Sequence, residues 1–325
     1  MENHHIYWWN LENLFDIENS PRRSSFLESQ LKKELKGWDQ SVLNKKLINL
    51  SSIIKQFNNN LGPDVLGVCE VENKHVLKLL TARINSLLPN RNYSFVITNG
   101  EDKRGIDTAL IYDKNKYTID PKTFTLRISK RNPTRDLFQI QLTTKFNNTL
   151  VLILNHWPSR SGGELESEPF RIMVAENLSY WVQRIHEELG KDISVLLMGD
   201  FNDNPFNKSM TNYLQSSNIR NKVMSAKNHF FFNPMFRFLD KNIGTHVYGN
   251  EVNILDQILI SKSILNQSNS YPFKVDSVEI IDYPELHKGK YKTPIRFGRP
   301  KDSKGINPKG YSDHLPISIT LNEVS

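Results

Sequence analysis

The run ISVLLMG, residues 193–199, passes without a break into Asp200-Phe201-Asn202-Asp203-Asn204-Pro205. A short, almost wholly apolar run of this kind reads as a buried strand. The polar stretch after it has an ordinary reading, because Asp, Asn and Pro are turn formers. The other reading is a rigid arm that carries acid and amide chemistry to a sheet edge. The pattern recurs along the chain. IYWW (6–9) leads into Asn10 and Glu12, VLGVC (65–69) into Glu70 and Glu72, and LVLILN (150–155) into His156. Asp256 opens QILIS, and Asp313 and His314 precede LPISITL. One polar residue at a strand end is usually a cap. Six such places in one chain suggest a common purpose, because strand ends are where layered sheets bind ligands.

Between these runs lie amphipathic helices. From Asp39 onward, Leu43, Leu47, Leu50, Ile53, Ile54 and Phe57 recur at spacings of three and four. A second helix is predicted from about Asn73 to Pro89, and a third from Glu168 to Leu189. YSFVIT, TALIYD, TFTLRI and LFQIQLTT read as further strands. Strands outnumber helices, and no repeat or linker interrupts the alternation. The expectation is one α/β domain over residues 1–325, with two packed mixed β-sheets and helices outside them.

At 38% hydrophobic residues over 325 positions, the chain can bury a core. No run approaches the ~18 apolar residues of a membrane span. The first residues lack the pattern of a secretory signal, so a soluble, cytoplasmic protein is expected. The single cysteine, Cys69, rules out a disulfide within the chain and a cysteine-rich zinc site. Net charge is +7, and residues 288–309 hold eight basic side chains and one acid. Such a run is a solvated loop or a surface for a polyanion.

The strand-end residues suit one chemistry. Asn10, Glu70, Asp200 and Asp313 are hard oxygen donors, suited to Mg²⁺ or Mn²⁺ rather than zinc. His156 and His314 can meet phosphate oxygens or move a proton near neutral pH. Asp256 can fix the tautomer of one imidazole.

WWNLENLFD, VLGVCEVENKHVL, RGIDTALIYD, LNHWPSRSGGELESEPFR, LLMGDFNDNP, ILDQILIS and GYSDHLPISI together resemble the endonuclease/exonuclease/phosphatase superfamily. The resemblance runs from Tyr7 to about Leu321, and its long NHWPSRSGG motif is similar to that of a bacterial subgroup. It implies a four-layered α/β-sandwich and a divalent cation, Mg²⁺ or Mn²⁺. Asn10 and Glu70 would sit at the metal, with Asp313 a second acid beside it. Asp200 would orient or deprotonate the attacking water, and Asn202 and His156 would contact the scissile phosphate. Asp256 would pair with His314, which would stabilise the transition state or protonate the leaving oxygen. Arg104 and Asp107 would line the same cleft.

Other residues receive quieter readings. Asp203 and Asn204 read as turn residues, Glu72 as structural and Asn73 as a helix N-cap. His4 and His5 read as a disordered terminal pair, while His229, His246 and His287 receive no role. Arg160 is either a second phosphate clamp or a partner of Glu164, Glu166 or Glu168. The stretch HFFFNPMFRF (229–238) is read as core, with an exposed patch as the alternative. The function expected is a metal-dependent phosphodiesterase, a nuclease on DNA or RNA, acting as a monomer. The alternatives are hydrolysis of a small phosphorylated metabolite or lipid headgroup, and an inactive binding module. The second would normally have lost some of Glu70, Asp200, Asn202, Asp313 and His314.

Overall fold

A computed structural model of the chain describes residues 1–98, 100, 104–120, 123–127, 136–268, 270–302 and 304–324. The first strands are β1 (Glu2–Leu14), β2 (Val65–Val71), β3 (Tyr93–Ile97), β4 (Asp107–Asp113), β5 (Tyr117–Ile119) and β6 (Phe124–Leu126). Ile128, the end of the expected strand TFTLRI, lies outside the described residues. Next come β7 (Leu137–Thr144), β8 (Thr149–His156), β9 (Ser194–Asp200), β10 (Ser216–Ser217), β11 (Phe231–Phe232), β12 (His246–Tyr248) and β13 (Glu251–Asn253). The last are β14 (Asp256–Ile260), β15 (Phe273–Ile280), β16 (His287–Lys288), β17 (Thr293–Pro294) and β18 (Ile317–Glu323). The helices that matter most are α1 (Ser25–Leu31), α2 (Gln40–Asn60), α3 (Lys74–Leu87) and α4 (Glu164–Leu189).

One sheet runs β15-β18-β1-β2-β4-β3, the other β10-β11-β14-β9-β8-β7-β5 with β6 beside β7. Both are mixed: β1 is parallel to β2 and antiparallel to β18, and β9 is parallel to β8 and antiparallel to β14. Side chains alternate across a strand, and that period sorts the layers. Tyr7 and Trp9 point away from the second sheet onto Phe57 of α2, with ring centroids 4.3 and 6.3 Å apart. Ile6 and Trp8 face inward. On β9, Leu196 and Met198 join the core between the sheets, while Val195 and Leu197 pack under Val174, Leu178 and Val182 of α4. The result is the four-layered sandwich: α2 and α3, sheet, sheet, α4. Gly199 is required where β8 and β9 close up, since a Cβ there would lie 2.2 Å from the Asn155 carbonyl oxygen.

The helix ends obey local chemistry. Asp39 accepts from the Val42 N–H, and Asn73 accepts from His75 and Val76, as N-caps do. Helix α4 begins at Glu164 rather than Glu168. Pro169 marks a helix start in sequence, but the carbonyl its absent N–H would meet belongs to Leu165, which is 77% exposed and open to water.

Two further expectations change, and one strand goes unread in the sequence. Strand β1 extends to Leu14 through a register shift, with Glu12 and Asn13 in the left-handed region at φ 50° and 59°. His4 is buried within it, 2.6 Å from the Tyr117 hydroxyl and 2.9 Å from Glu323, so it ties the two sheets together instead of fraying. Strand β15 was hidden because FKVDSVEI carries polar residues on its open face. Of the five phenylalanines in 229–238, none is exposed: Phe231 and Phe238 are buried and the others partly so. Among the described residues, no helix is long and apolar enough to cross a membrane.

Candidate active site

Sheet register brings the polar strand ends together. His156 pairs with Asp200 across β8 and β9, and Asp256 with Asp200 across β14 and β9. On the facing sheet, Asn10 pairs with Cys69, one residue before Glu70. Two of these ends come into direct contact, because Asn10 Nδ2 donates to Asp200 Oδ2 at 3.1 Å. His156 Nε2 lies 3.6 Å from Glu70 and 3.7 Å from Asp200. His314 Nε2 lies 4.0 Å from Asp200 and 4.0 Å from Asp313. Asn202 stands at the same edge, with its N–H on Asp200 Oδ1 at 2.9 Å and its side-chain amide on the Trp157 carbonyl at 3.0 Å.

Strand alternation is not what brings Asn202 beside Asp200. The strand stops at Asp200, and Asn202 takes a left-handed φ of 52°. Asn202 therefore reaches the edge through a turn. Phe201 is fully buried on the α4 side, with its ring 4.9 Å from that of Trp157.

Asp256 is fully buried and uses both oxygens. Oδ1 accepts from Trp8 Nε1 at 2.9 Å, and Oδ2 meets His314 Nδ1 at 2.6 Å. The latter distance is that of a charge-assisted bond. Burial lowers the His314 imidazole's affinity for a proton, but Asp256, Asp200 and the short bond outweigh it and hold its pKa well above the ordinary value. His156 goes the other way: burial, Arg104 and His314 keep it well below, so it is neutral. Burial pushes Asp200 up to about 7, with Asp256 and Glu70 adding to the rise against His314 and the Asn202 N–H. Asp313 is raised by burial first, then by Glu70, against His314.

A divalent cation fits this donor set. Asp200 and Asp313 resist ionising beside Glu70, and a bound cation would relieve that repulsion. Glu70, at φ 62°, spends Oε2 on the Asn13 N–H and leaves Oε1 facing the cleft near His156. Asn10 Oδ1 accepts only the Glu12 N–H and keeps a lone pair. Asp200, Asp256 and His314 also bring ligand atoms within 4.8 Å of one another. A cation among those three would have to break the Asp256–His314 bond, which makes them a poor seat.

The other residues expected at the cleft lie close by. Arg104 is exposed and near enough to His156 to depress its protonation. Asp107 accepts from Thr98 Oγ1 and the Gly100 N–H, shaping the adjoining turn. Arg160 spends its donors inside the protein, on the Asn202 carbonyl at 2.8 Å, Asn253 at 3.2 Å and Glu164 at 3.3 Å. The basic segment is partly neutralised: Lys292 pairs with Asp282, Arg296 with Glu12, and Arg299 and Lys301 with Glu34.

Sequence reasoning missed His246, Thr245 and Lys46. Thr245 Oγ1 accepts from the Leu255 and Asp256 N–H groups while its carbonyl takes the Leu315 N–H, so it staples Asp256 to the segment that carries His314 ahead of β18. The His246 ring lies 4.8 Å from that of His314 at a tilt of 41°, and burial pulls its pKa to about 3. Lys46, buried in α2, donates to the Glu12 and Tyr311 carbonyls, and burial brings its pKa down to about 8. No local pattern marks a lone Thr-His pair at the start of a three-residue strand or a lysine on a helix face as belonging to a distant site.

A family profile described as "Endonuclease/Exonuclease/phosphatase family" matches residues 5–323. No curated protein matches the chain. Solved structures with the same fold include D. rerio TDP2 complexed with single-strand DNA product, at 17% identity and TM-score 0.58, covering 99% of this chain and 100% of that one. A Bacteroides thetaiotaomicron mannosyl-6-phosphatase matches at 16% identity and TM-score 0.54, covering 98% of this chain and 99% of that one. The human Nocturnin catalytic domain matches at 15% identity and TM-score 0.54, covering 99% of this chain and 95% of that one.

Proposed function

The chain belongs to the endonuclease/exonuclease/phosphatase family, and on that footing we propose that it is a divalent-cation-dependent phosphodiester hydrolase, a nuclease acting on DNA or RNA. The observation that carries the reading is the convergence of Asn10, Glu70, His156, Asp200, Asp256 and His314 at one edge of two facing sheets. The reading takes residues 1–325 as one catalytic domain.

Asp200 accepts the proton of the attacking water, and a carboxylate held near neutrality suits a base working at neutral pH. His314 is the cationic donor. In-line attack puts the incoming water and the leaving oxygen on opposite sides of phosphorus. Asp200 and His314 are only 4.0 Å apart, too close to serve those opposite sides. His314 is therefore assigned to a non-bridging phosphate oxygen, where its imidazolium offsets the growing negative charge. Asn202 and neutral His156 donate to the remaining oxygens. A Mg²⁺ or Mn²⁺ held by Asn10, Glu70 and Asp313 would supply Lewis-acid stabilisation of the phosphate.

A second reading, hydrolysis of a small phosphoester, gains from the internal pairing of Lys292, Arg296, Arg299 and Lys301, which leaves less charge for a polyanion. The two are separated by a panel of plasmid, single-stranded DNA, RNA and an aryl phosphodiester, each with Mg²⁺ and Mn²⁺, beside Glu70→Ala and His314→Ala. The nuclease reading expects cation-dependent cleavage of a polynucleotide that falls steeply with salt, about one log unit per phosphate contact. Turnover of the small ester alone, or no response to salt, would overturn it in favour of the second reading.

A further inference from the structure

Asp203 looks like a turn residue in sequence, yet it is fully buried and meets two arginines. Arg171 of α4, also fully buried, brings Nε to 2.7 Å from Asp203 Oδ1, an ion pair whose N–H is not aligned for a hydrogen bond. Ser209 donates to Oδ2 at 2.5 Å, and Arg160 Nη2 stands 3.6 Å from Oδ1. The backbone on either side is held as well. Arg160 Nε donates to the Asn202 carbonyl at 2.8 Å, and Gln257 Nε2 to the Asp203 carbonyl at 2.6 Å. Arg171 is itself anchored at the start of α4 by Ser167 Oγ and the Glu164 carbonyl. Between these holds sits Asn202, at a φ of 52°, a conformation that a non-glycine residue keeps only when its surroundings impose it.

The geometry points to Arg160, Arg171 and Asp203 as positioning residues: a two-arginine clamp that fixes the Asn202 turn against α4, so that the Asn202 amide meets the substrate phosphate. This rests on the proposed function for the part played by Asn202. It gives Arg160 a task other than gripping phosphate itself, since its guanidinium is engaged by Asn202, Asn253, Asn207 and Glu164. Displacement of a positioning group by about 1 Å can cost roughly 10²-fold in rate, so the clamp bears on turnover although none of its side chains need touch the reacting atoms.

Two variants test it. Arg160→Ala removes a partly exposed partner. Arg171→Met/Asp203→Leu replaces the buried pair with apolar side chains, an exchange that commonly preserves a fold where loss of one partner does not. Hydrogen exchange is monitored at the amides of residues 201–204, 206 and 207 and at Ile254, whose N–H bonds Asn204 Oδ1. The clamp predicts at least tenfold faster exchange there in both variants, with β9 residues 194–199 unchanged. In the hydrolysis assay, Arg160→Ala should lower kcat/KM by about 10- to 100-fold and add almost nothing to Asn202→Ala in a double-mutant cycle. Unchanged protection of these amides, or losses that add in full as they would for an independent phosphate contact, overturns the proposal. If the wild-type protein hydrolyses no phosphoester, the catalytic reading fails while the exchange result still decides the clamp.

Discussion

Asp256→Asn changes one charge at almost constant shape and bears directly on His314. The Trp8 indole N–H can only donate, and it meets Asp256 Oδ1 at 2.9 Å. The new amide must therefore keep its oxygen toward Trp8 and turn its nitrogen toward His314 Nδ1. That ring nitrogen must then accept rather than donate, so the imidazole becomes neutral and carries its proton on Nε2. The lost contact is a buried, charge-assisted bond of 2.6 Å, a class worth about 1.5–3 kcal/mol. At about 1.4 kcal/mol per tenfold, kcat at pH 7 should fall by roughly 10- to 150-fold. The pH profile gives a second readout. With its pKa held well above the ordinary value, wild-type His314 stays cationic through neutrality, and the rate should decline only as pH rises past that raised value. In Asp256→Asn the alkaline decline should move to lower pH. The assay is hydrolysis of an aryl phosphodiester with Mn²⁺ from about pH 5 to 9, with circular dichroism confirming the fold. A variant within about threefold of wild type at pH 7, with its alkaline limb unmoved, would refute the assignment of His314 as the cationic donor.

Asp200→Asn should lower kcat by about 10²–10⁴-fold, the range of general-base contributions, and an equally active variant would remove Asp200 from that role. Stability should depend on pH and cation together. Asp200 and Glu12, both pushed to about 7 by burial, bind more protons folded than unfolded, and raised Asp313 and His314 act in the same direction. Folding stability should therefore fall as pH rises. The lowered histidines His5, His156, His186, His229 and His246 oppose this only below the unfolded value of about 6.5. Between about pH 6.5 and 7.5 the Tm of cation-free protein should drop, and Mn²⁺ should reduce the drop; a flat Tm without cation would contradict this. Gly199→Ala should destabilise by about 1–3 kcal/mol through overpacking, because its Cβ would meet backbone 2.2 Å away. Urea unfolding measures this, and an unchanged midpoint would count against the close approach of β8 and β9.

The parts of this fold that were legible in sequence are those with one dominant period. The stripe from Leu43 to Phe57 and the apolar run of β9 each have a single way to be buried. Asp39 and Asn73 announced their helix starts because a cap is a local bond. Strand β15 escaped notice because an edge strand with one open face mixes Lys274, Asp276 and Glu279 into its pattern. The extra length of β1 depended on a register shift that no periodicity encodes. In the site, acids, amides and imidazoles at strand ends could be picked out one by one. Their partners could not, since Asp203–Arg171 and Asp256–Trp8 join residues 32 and 248 positions apart. His4 and His246 escape a sequence reading for the same reason: each is given its place by a neighbouring segment distant in sequence.

The proposed chemistry depends most on the seat offered by Asn10, Glu70 and Asp313. Calorimetric titration of Mn²⁺ into wild-type protein and into Glu70→Ala at about pH 7.5 tests it without recourse to any substrate. Saturable binding by the wild type, weakened at least about 100-fold in Glu70→Ala, is the predicted result. Equal binding by the two proteins, or none by either, would contradict it.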